Sequence, residues 1–510
     1  MTIEVSRGSA PIDRGWAWVV MVAVMLSTFL EMGLYKSFGI FFVEYIERFG
    51  SSATMTSVIS GIYLAGYSVF ALIMITFGLG RISCRQSVMV GGVSLALGYL
   101  LSSLATSIEI VILAQGIFTA IGSAFIHGPS IVILSKYFDK RRGLSNALAI
   151  SFGSLGGLVL PILFHELVEI YNLNGALMIT SSIILNCTFA GTLMRPIDQY
   201  KTLNKELLLD GTKNCHDQEK NKKVRNVEIK AVTHNSEKTV ECGVSTEKIT
   251  SKTNINAFSG SCISLTHIPE SSISCDVTHD ATADDVDESN CATKCGILSQ
   301  IFDCTLFKNS MFLILLIGGC LGQVECALAH IFIPPYAKDR GVPDSQIPLI
   351  AGCVGIAEVI GRCLVSLLAD AQFIERHVLM SVSLIITGIV TQFVHLYDNM
   401  WKLVMFASLY GVFSGVLIAL YSPVCVDLLG ADRMRKAYGI SSSCVGIVIG
   451  ASSPLFGFIR DLTGSYVLSF HVMGSCAMIG GGVLLLLPCA KRYEERKLAK
   501  NKIPQNTPLI

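Results

Sequence analysis

The chain has 510 residues, 51% of them hydrophobic and only 15% charged, with a mean hydropathy of +0.58. A soluble domain carries about 25% charged residues, so this composition excludes one and points to a polytopic membrane protein. The formal net charge of +1 leaves no field to attract nucleic acid, and none is expected as a partner.

The first apolar run is too long for a signal peptide and lacks a small-residue cleavage site, so it reads as a first span. About 20 apolar residues cross a hydrocarbon core. On that measure twelve spans are predicted, at about 16–40, 54–78, 87–105, 109–134, 143–165, 173–194, 309–334, 348–369, 378–397, 402–425, 437–459 and 466–488. Gly446, Gly450 and Ser453 in the eleventh stand at a spacing that lets helices approach closely. Between the sixth and seventh spans lies a polar tract, 195–307, rich in Lys, Glu, Asp, Ser, Thr and Asn. Its composition cannot offset ordering entropy, so it reads as a disordered loop, and its acidic stretch Asp280–Ser289 as a solvated tail.

The expected class is an all-α integral membrane protein of 12 transmembrane helices in two six-helix halves, 16–194 and 308–489, flanked by an N-terminal segment 1–15 and a tail 490–510. Lys and Arg crowd one side of the spans. Arg81, Arg85, Lys136, Lys140, Arg141, Arg142, Arg376, Arg433, Arg435 and Lys436 lie there with the C-terminal Lys491, Arg492, Arg496 and Lys497. The opposite connections hold Arg48, Lys338, Arg340, Lys402 and Arg460. The excess puts both termini and the long tract in the cytosol. The chain has 17 Cys. Those inside spans, such as Cys320, Cys326, Cys353, Cys363, Cys444 and Cys476, read as inert small hydrophobes. Cys291 and Cys295 have no His or second Cys pair at ligand spacing, so no metal and no cofactor is expected. No nucleophile–base constellation suggests an enzyme.

Charges inside the spans carry the functional signal, because each ionised group there costs roughly 2.5–3.5 kcal/mol on insertion scales and must face protein. Glu358 and Arg362 in the eighth span stand at i, i+4, one face and about 6 Å of rise apart, close enough to pair. A guanidinium fork also matches a carboxylate, so Arg362 is a candidate anion site with Glu358 as its alternate partner. Lys36 ends the polar-poor run of the first span. Glu31, Tyr35, His127, Glu325, His330 and Tyr421 are candidates to line a cavity, with helix packing as the competing role.

Asp13-Arg-Gly-Trp-Ala-Trp18 opens the first span and Tyr137-Phe-Asp-Lys-Arg-Arg142-Gly-Leu the fifth. Leu193-Met-Arg-Pro196 closes the first half; Pro334-Pro-Tyr-Ala-Lys-Asp-Arg-Gly341, Ala437-Tyr-Gly439 and Arg460-Asp-Leu-Thr-Gly-Ser-Tyr466 follow in the second. Together they resemble the monocarboxylate transporter family of the major facilitator superfamily. Arg14 stands where that family usually has Gly, Lys136 where Arg is common, and Glu358 where Asp is usual. The resemblance implies proton-coupled symport of small monocarboxylates across the plasma membrane. It gives Lys36 the role of gating proton and carboxylate entry, Arg362 that of binding the carboxylate, and Glu358 that of exchanging the proton or the ion-pair partner. It implies motif or gating roles for Asp13, Gly15, Trp16, Trp18, Tyr137, Lys140, Arg141 and Arg142, and it raises a single-span immunoglobulin-like chaperone as a partner. A facilitator of another organic solute, such as an amino-acid derivative, and a non-transporting sensor are the competing readings.

Overall fold

The computed structural model describes residues 11–78, 81–139, 141–197, 304–370 and 374–502. The expected loop 195–307 lies outside these residues except at its two ends, and with it Asp280–Ser289, Cys291 and Cys295; Lys140 and the Arg142 side chain are also outside. Helices α1 Trp16–Phe49, α2 Ala53–Ile73, α3 Cys84–Ser103 and α4 Ile108–Tyr137 come first, then α5 Arg142–Ile184 and α6 Asn186–Leu193. After the break follow α7 Ser310–Asp339, α8 Ile347–Asp370, α9 Arg376–Gln392, α10 Met400–Leu429, α11 Ala431–Thr463, α12 Val467–Leu484 and α13 Leu487–Lys502.

Helix is the only regular structure that satisfies backbone groups within an isolated span in lipid. Polar side chains mark where several of these helices start. Ser52 accepts the Met55 N–H, Ser83 and Gln86 form a capping box, and Asn309 and Asn399 cap α7 and α10. The outside of the bundle is apolar. Val22, Leu113, Phe189, Leu367, Ile447 and Ile479 are exposed there, as lipid-facing side chains should be.

Ten described stretches are long and apolar enough to cross a membrane, and α9 is a shorter apolar helix. That gives eleven continuous stretches where twelve spans are expected from sequence, because one stretch does the work of two. Leu148–Leu193 has 46 residues, about 69 Å at 1.5 Å per residue, twice a hydrocarbon core of roughly 30 Å. It is not straight. Asn172 breaks it with φ 58° and ψ 171°. Contacts with α1 trace the reversal: Arg141 lies over Trp18, Asn174 accepts from Arg48 at the other end, and the Leu193 carbonyl accepts from Trp16 back at the start. The chain therefore crosses, turns at Asn172 and returns.

The halves are packed through small residues. Gly61 on α2 faces the Gly450 carbonyl on α11, and Ser60 bonds Ser453 at 2.7 Å. Gly446 abuts Ser68, so the small-residue pattern of the eleventh span is a packing surface. At the end of the bundle remote from Trp16, Asp461 closes α11 onto α2. Its carboxylate accepts from the Ala53 and Thr54 N–H groups at 3.0 and 2.8 Å and from the Thr54 hydroxyl at 2.5 Å. A carboxylate at a helix N-terminus meets unsatisfied N–H groups and the positive end of the dipole. Lys338 on α7 adds an ion pair with Glu47 on α1 at 2.5 Å.

Candidate functional site

Where α1, α5 and α8 meet, four side chains from both halves converge. The Lys36 ammonium donates to Glu358 Oε2. Arg362 Nη2 donates to the same oxygen at 3.0 Å, and Nη1 donates to Ser154 Oγ at 2.7 Å. Side-chain exposure is only 10% for Lys36, 7% for Glu358 and 15% for Arg362, so the charges depend on each other for solvation. Helix geometry explains half of this. Glu358 and Arg362 are one turn apart on α8, as their spacing requires. Gly157 explains another part: a Cβ there would strike the Lys36 stem. Two formal cations share one carboxylate, and Arg362 Nε has no hydrogen-bond acceptor among the described residues. The cluster thus carries one positive charge in excess, at a seam between the halves.

The first half also holds a small cavity with Glu31 and Tyr35 in its wall. Glu31 Oε2 meets His127 Nδ1 at 3.3 Å. Tyr35 stands between the cavity and α7: its hydroxyl donates to the Ala327 carbonyl at 2.8 Å, and its ring meets His330 edge-on with centroids 4.9 Å apart. The other four cavity candidates do not line this space. His127 stands behind Glu31. Glu325 points into the second half, where one oxygen accepts from Thr391. His330 lies against Tyr35, both ring nitrogens without a partner among the described residues. Tyr421 packs beside Tyr438 and against Gly319. Sequence reasoning missed Ser154, which has no local signal. It also missed Gln115, whose amide inside an apolar run was the available clue.

The motif residues gather at the ends of the bundle. Asp13, at φ 57°, donates its N–H to the Tyr137 carbonyl at 2.9 Å, and its carboxylate accepts the N–H groups of Asp139 and Arg141 at 3.3 and 3.4 Å. Gly15, at φ 56°, occupies a conformation that favours glycine and turns the chain into α1. Trp16 donates to the Leu193 carbonyl at 3.1 Å beneath the Arg195 guanidinium, Trp18 meets Phe138 edge-on, and the Tyr137 hydroxyl reaches the Arg195 carbonyl at 2.8 Å. Three motifs far apart in sequence thus tie α1, α4, α5 and α6 into one knot. In the second half, Arg340 bonds the Tyr336 hydroxyl at 3.0 Å, and Tyr336 donates to the Val394 carbonyl at 2.7 Å.

The comparisons agree with this architecture. A family model described as Major Facilitator Superfamily matches residues 24–230 and 315–509. Monocarboxylate transporter 9 of Gallus gallus is 27% identical, covering 98% of this chain and 97% of its own. Monocarboxylate transporter 12-B of Danio rerio is 25% identical, covering 99% and 93%. The crystal structure of a POT family transporter in complex with a thioalcohol-conjugated peptide superposes with a TM-score of 0.62 at 14% identity, over 93% of this chain and 96% of that one; at that identity the likeness speaks for the fold alone. With two halves packed across a seam, a charge cluster on that seam and a family match spanning both halves, the chain belongs to the major facilitator superfamily of membrane transporters and is related within it to the monocarboxylate transporters.

Proposed function

We propose that the protein carries small monocarboxylates of the lactate, pyruvate and ketone-body kind together with a proton, by alternating access, in the plasma membrane with both termini cytosolic. One observation carries the reading: Lys36 and Arg362 share the single carboxylate of Glu358, so the cluster has one positive charge to spare on the seam where the halves must part. The relatives' names supply the cargo class. An incoming carboxylate takes the Arg362 fork in place of Glu358. A proton from the medium then neutralises the released Glu358. The loaded cluster holds the same charge as the empty one, so reorientation moves no net charge and escapes the roughly 2.3 kcal/mol per 100 mV that an uncompensated ion would meet. Lys36, reaching across from α1 to α8, makes the ion pairing a contact between halves, broken and remade as they rock. With the termini cytosolic, the end closed by Asp461 and Lys338 is extracellular.

Uptake of labelled lactate and pyruvate into vesicles at several imposed pH gradients tests the proposal. Initial rates should rise with an inward proton gradient; rates indifferent to it overturn the coupling.

A further inference from the structure

We infer that the small cavity inside the first half is a site for a monovalent metal cation, sodium, held by oxygen atoms of Glu31 and Gln115. The site stands apart from the cluster of Lys36, Glu358 and Arg362 and does not depend on the cargo proposed above.

A carboxylate inside a span must be compensated, because burying an ion alone is costly. Glu31 is 5% exposed, and it faces His127 on α4, Tyr63 and Tyr67 on α2 and Cys187 on α6. Among the described residues no Lys or Arg pairs with it. Its one basic neighbour is His127, whose Nδ1 lies 3.3 Å from Oε2, which leaves Oε1 for another partner. An imidazole is neutral over much of the physiological pH range, and the pair then keeps a full negative charge.

The rest of the wall supplies oxygen. Gln115 is 2% exposed; its Nε2 donates to the Tyr45 hydroxyl at 2.5 Å, while its Oε1 has no hydrogen-bond partner among the described residues. A buried acceptor left so costs free energy. The Tyr63 hydroxyl donates to Ser123 Oγ at 3.2 Å and the Thr119 hydroxyl to the Gln115 carbonyl, so both oxygens keep lone pairs to offer. Glu31, Tyr63, Gln115, Thr119 and Ser123 all line this one cavity. Carboxylate, amide and hydroxyl oxygens are the ligands that hard cations take. One negative charge on Glu31 balances one positive charge, so a monovalent ion leaves the site neutral where a divalent ion would not. Gln115 and Thr119 sit on a π-helical turn of α4, Ala114–Thr119, a local widening that re-aims side chains and is frequent at functional sites.

Thermal unfolding of the purified, substrate-free protein in detergent is followed as sodium chloride replaces choline chloride at constant ionic strength. Sodium should raise the unfolding temperature along a saturating curve, as any ligand of the native state does. Glu31→Gln should abolish that rise. Gln115→Leu should raise the half-saturating sodium concentration about tenfold, the scale of one lost contact to a charged group. Acidification charges His127 and protonates Glu31, so the half-saturating concentration should climb as pH falls. An unfolding temperature indifferent to sodium at every pH overturns the inference and makes the space a water-filled packing cavity. A rise that survives in both variants also overturns it, by placing the ion elsewhere. The assay contains no carboxylate substrate, so its failure leaves the reading of Arg362 standing.

Discussion

Arg362 shows how little latitude a charge has inside a membrane protein. It holds Glu358 on its own helix and Ser154 on α5, while Glu358 also holds Lys36 on α1. Removing one partner of a buried set leaves the others uncompensated, at a cost of about 3–5 kcal/mol. Glu358→Gln should therefore lower thermal stability in detergent as well as transport, because two cations then face each other without a carboxylate. Arg362→Lys keeps the charge but loses the planar fork. It should bind monocarboxylate at least about tenfold more weakly, measured by flow dialysis on the purified protein, and equal affinity would deny the fork its role. Half of this site was legible from sequence. The i, i+4 spacing of Glu358 and Arg362 announced their pairing, since a helix enforces it. Lys36 was visible as a costly charge, but its pairing with Glu358 was not, because only the packing of α1 on α8 brings the two together. Ser154 was invisible for the same reason, since a hydroxyl in a helix signals nothing until a neighbour arrives, whereas the Gln115 amide inside an apolar run was a signal that could have been read.

The elements themselves were more legible than their ends. Apolar runs located the spans, and the turn at Asn172 explains why the fifth and sixth read as separate segments yet form one nearly continuous helical stretch. Close helix approaches explain several glycines that composition alone could not rank. On α8, a Cβ at Gly361 would collide with the Val412 carbonyl of α10. Backbone cannot yield as a flexible side chain can, so Gly361→Ala should destabilise the second half by about 1–3 kcal/mol, read as a lower unfolding temperature. Asp461 makes a second prediction at this scale. Asp461→Ala removes a cap from α2 worth about 0.5–2 kcal/mol and loosens the closure of α11 on α2. A cysteine placed at Thr54 should then react faster with a membrane-impermeant thiol reagent. An unchanged labelling rate would show that the remaining contacts, among them Lys338 with Glu47, keep this end shut without Asp461.

Across the whole molecule, the described residues of several motifs quoted from the sequence make packing and hydrogen-bond contacts at the ends of the bundle. Asp13, Trp16, Trp18 and Tyr137 fasten one end of the first half, and Tyr336 and Arg340 brace the second. The buried ion cluster of Lys36, Glu358 and Arg362, proposed above as the substrate site, lies between these ends, on the seam. This division suits a carrier whose halves move as bodies: rigid ends, and a small set of ion pairs at the middle that exchange partners. In the proposed mechanism anion and proton cross together at Arg362, and the direct measurement is the pH inside the vesicles. Lactate is added outside liposomes holding the protein, a trapped pH dye and a potassium-clamped potential, with protein-free liposomes subtracted. Lactate entry should acidify the lumen, one proton per anion, and Arg362→Gln should abolish both. Lactate entering without acidification, or entering at an undiminished rate through Arg362→Gln, would contradict it.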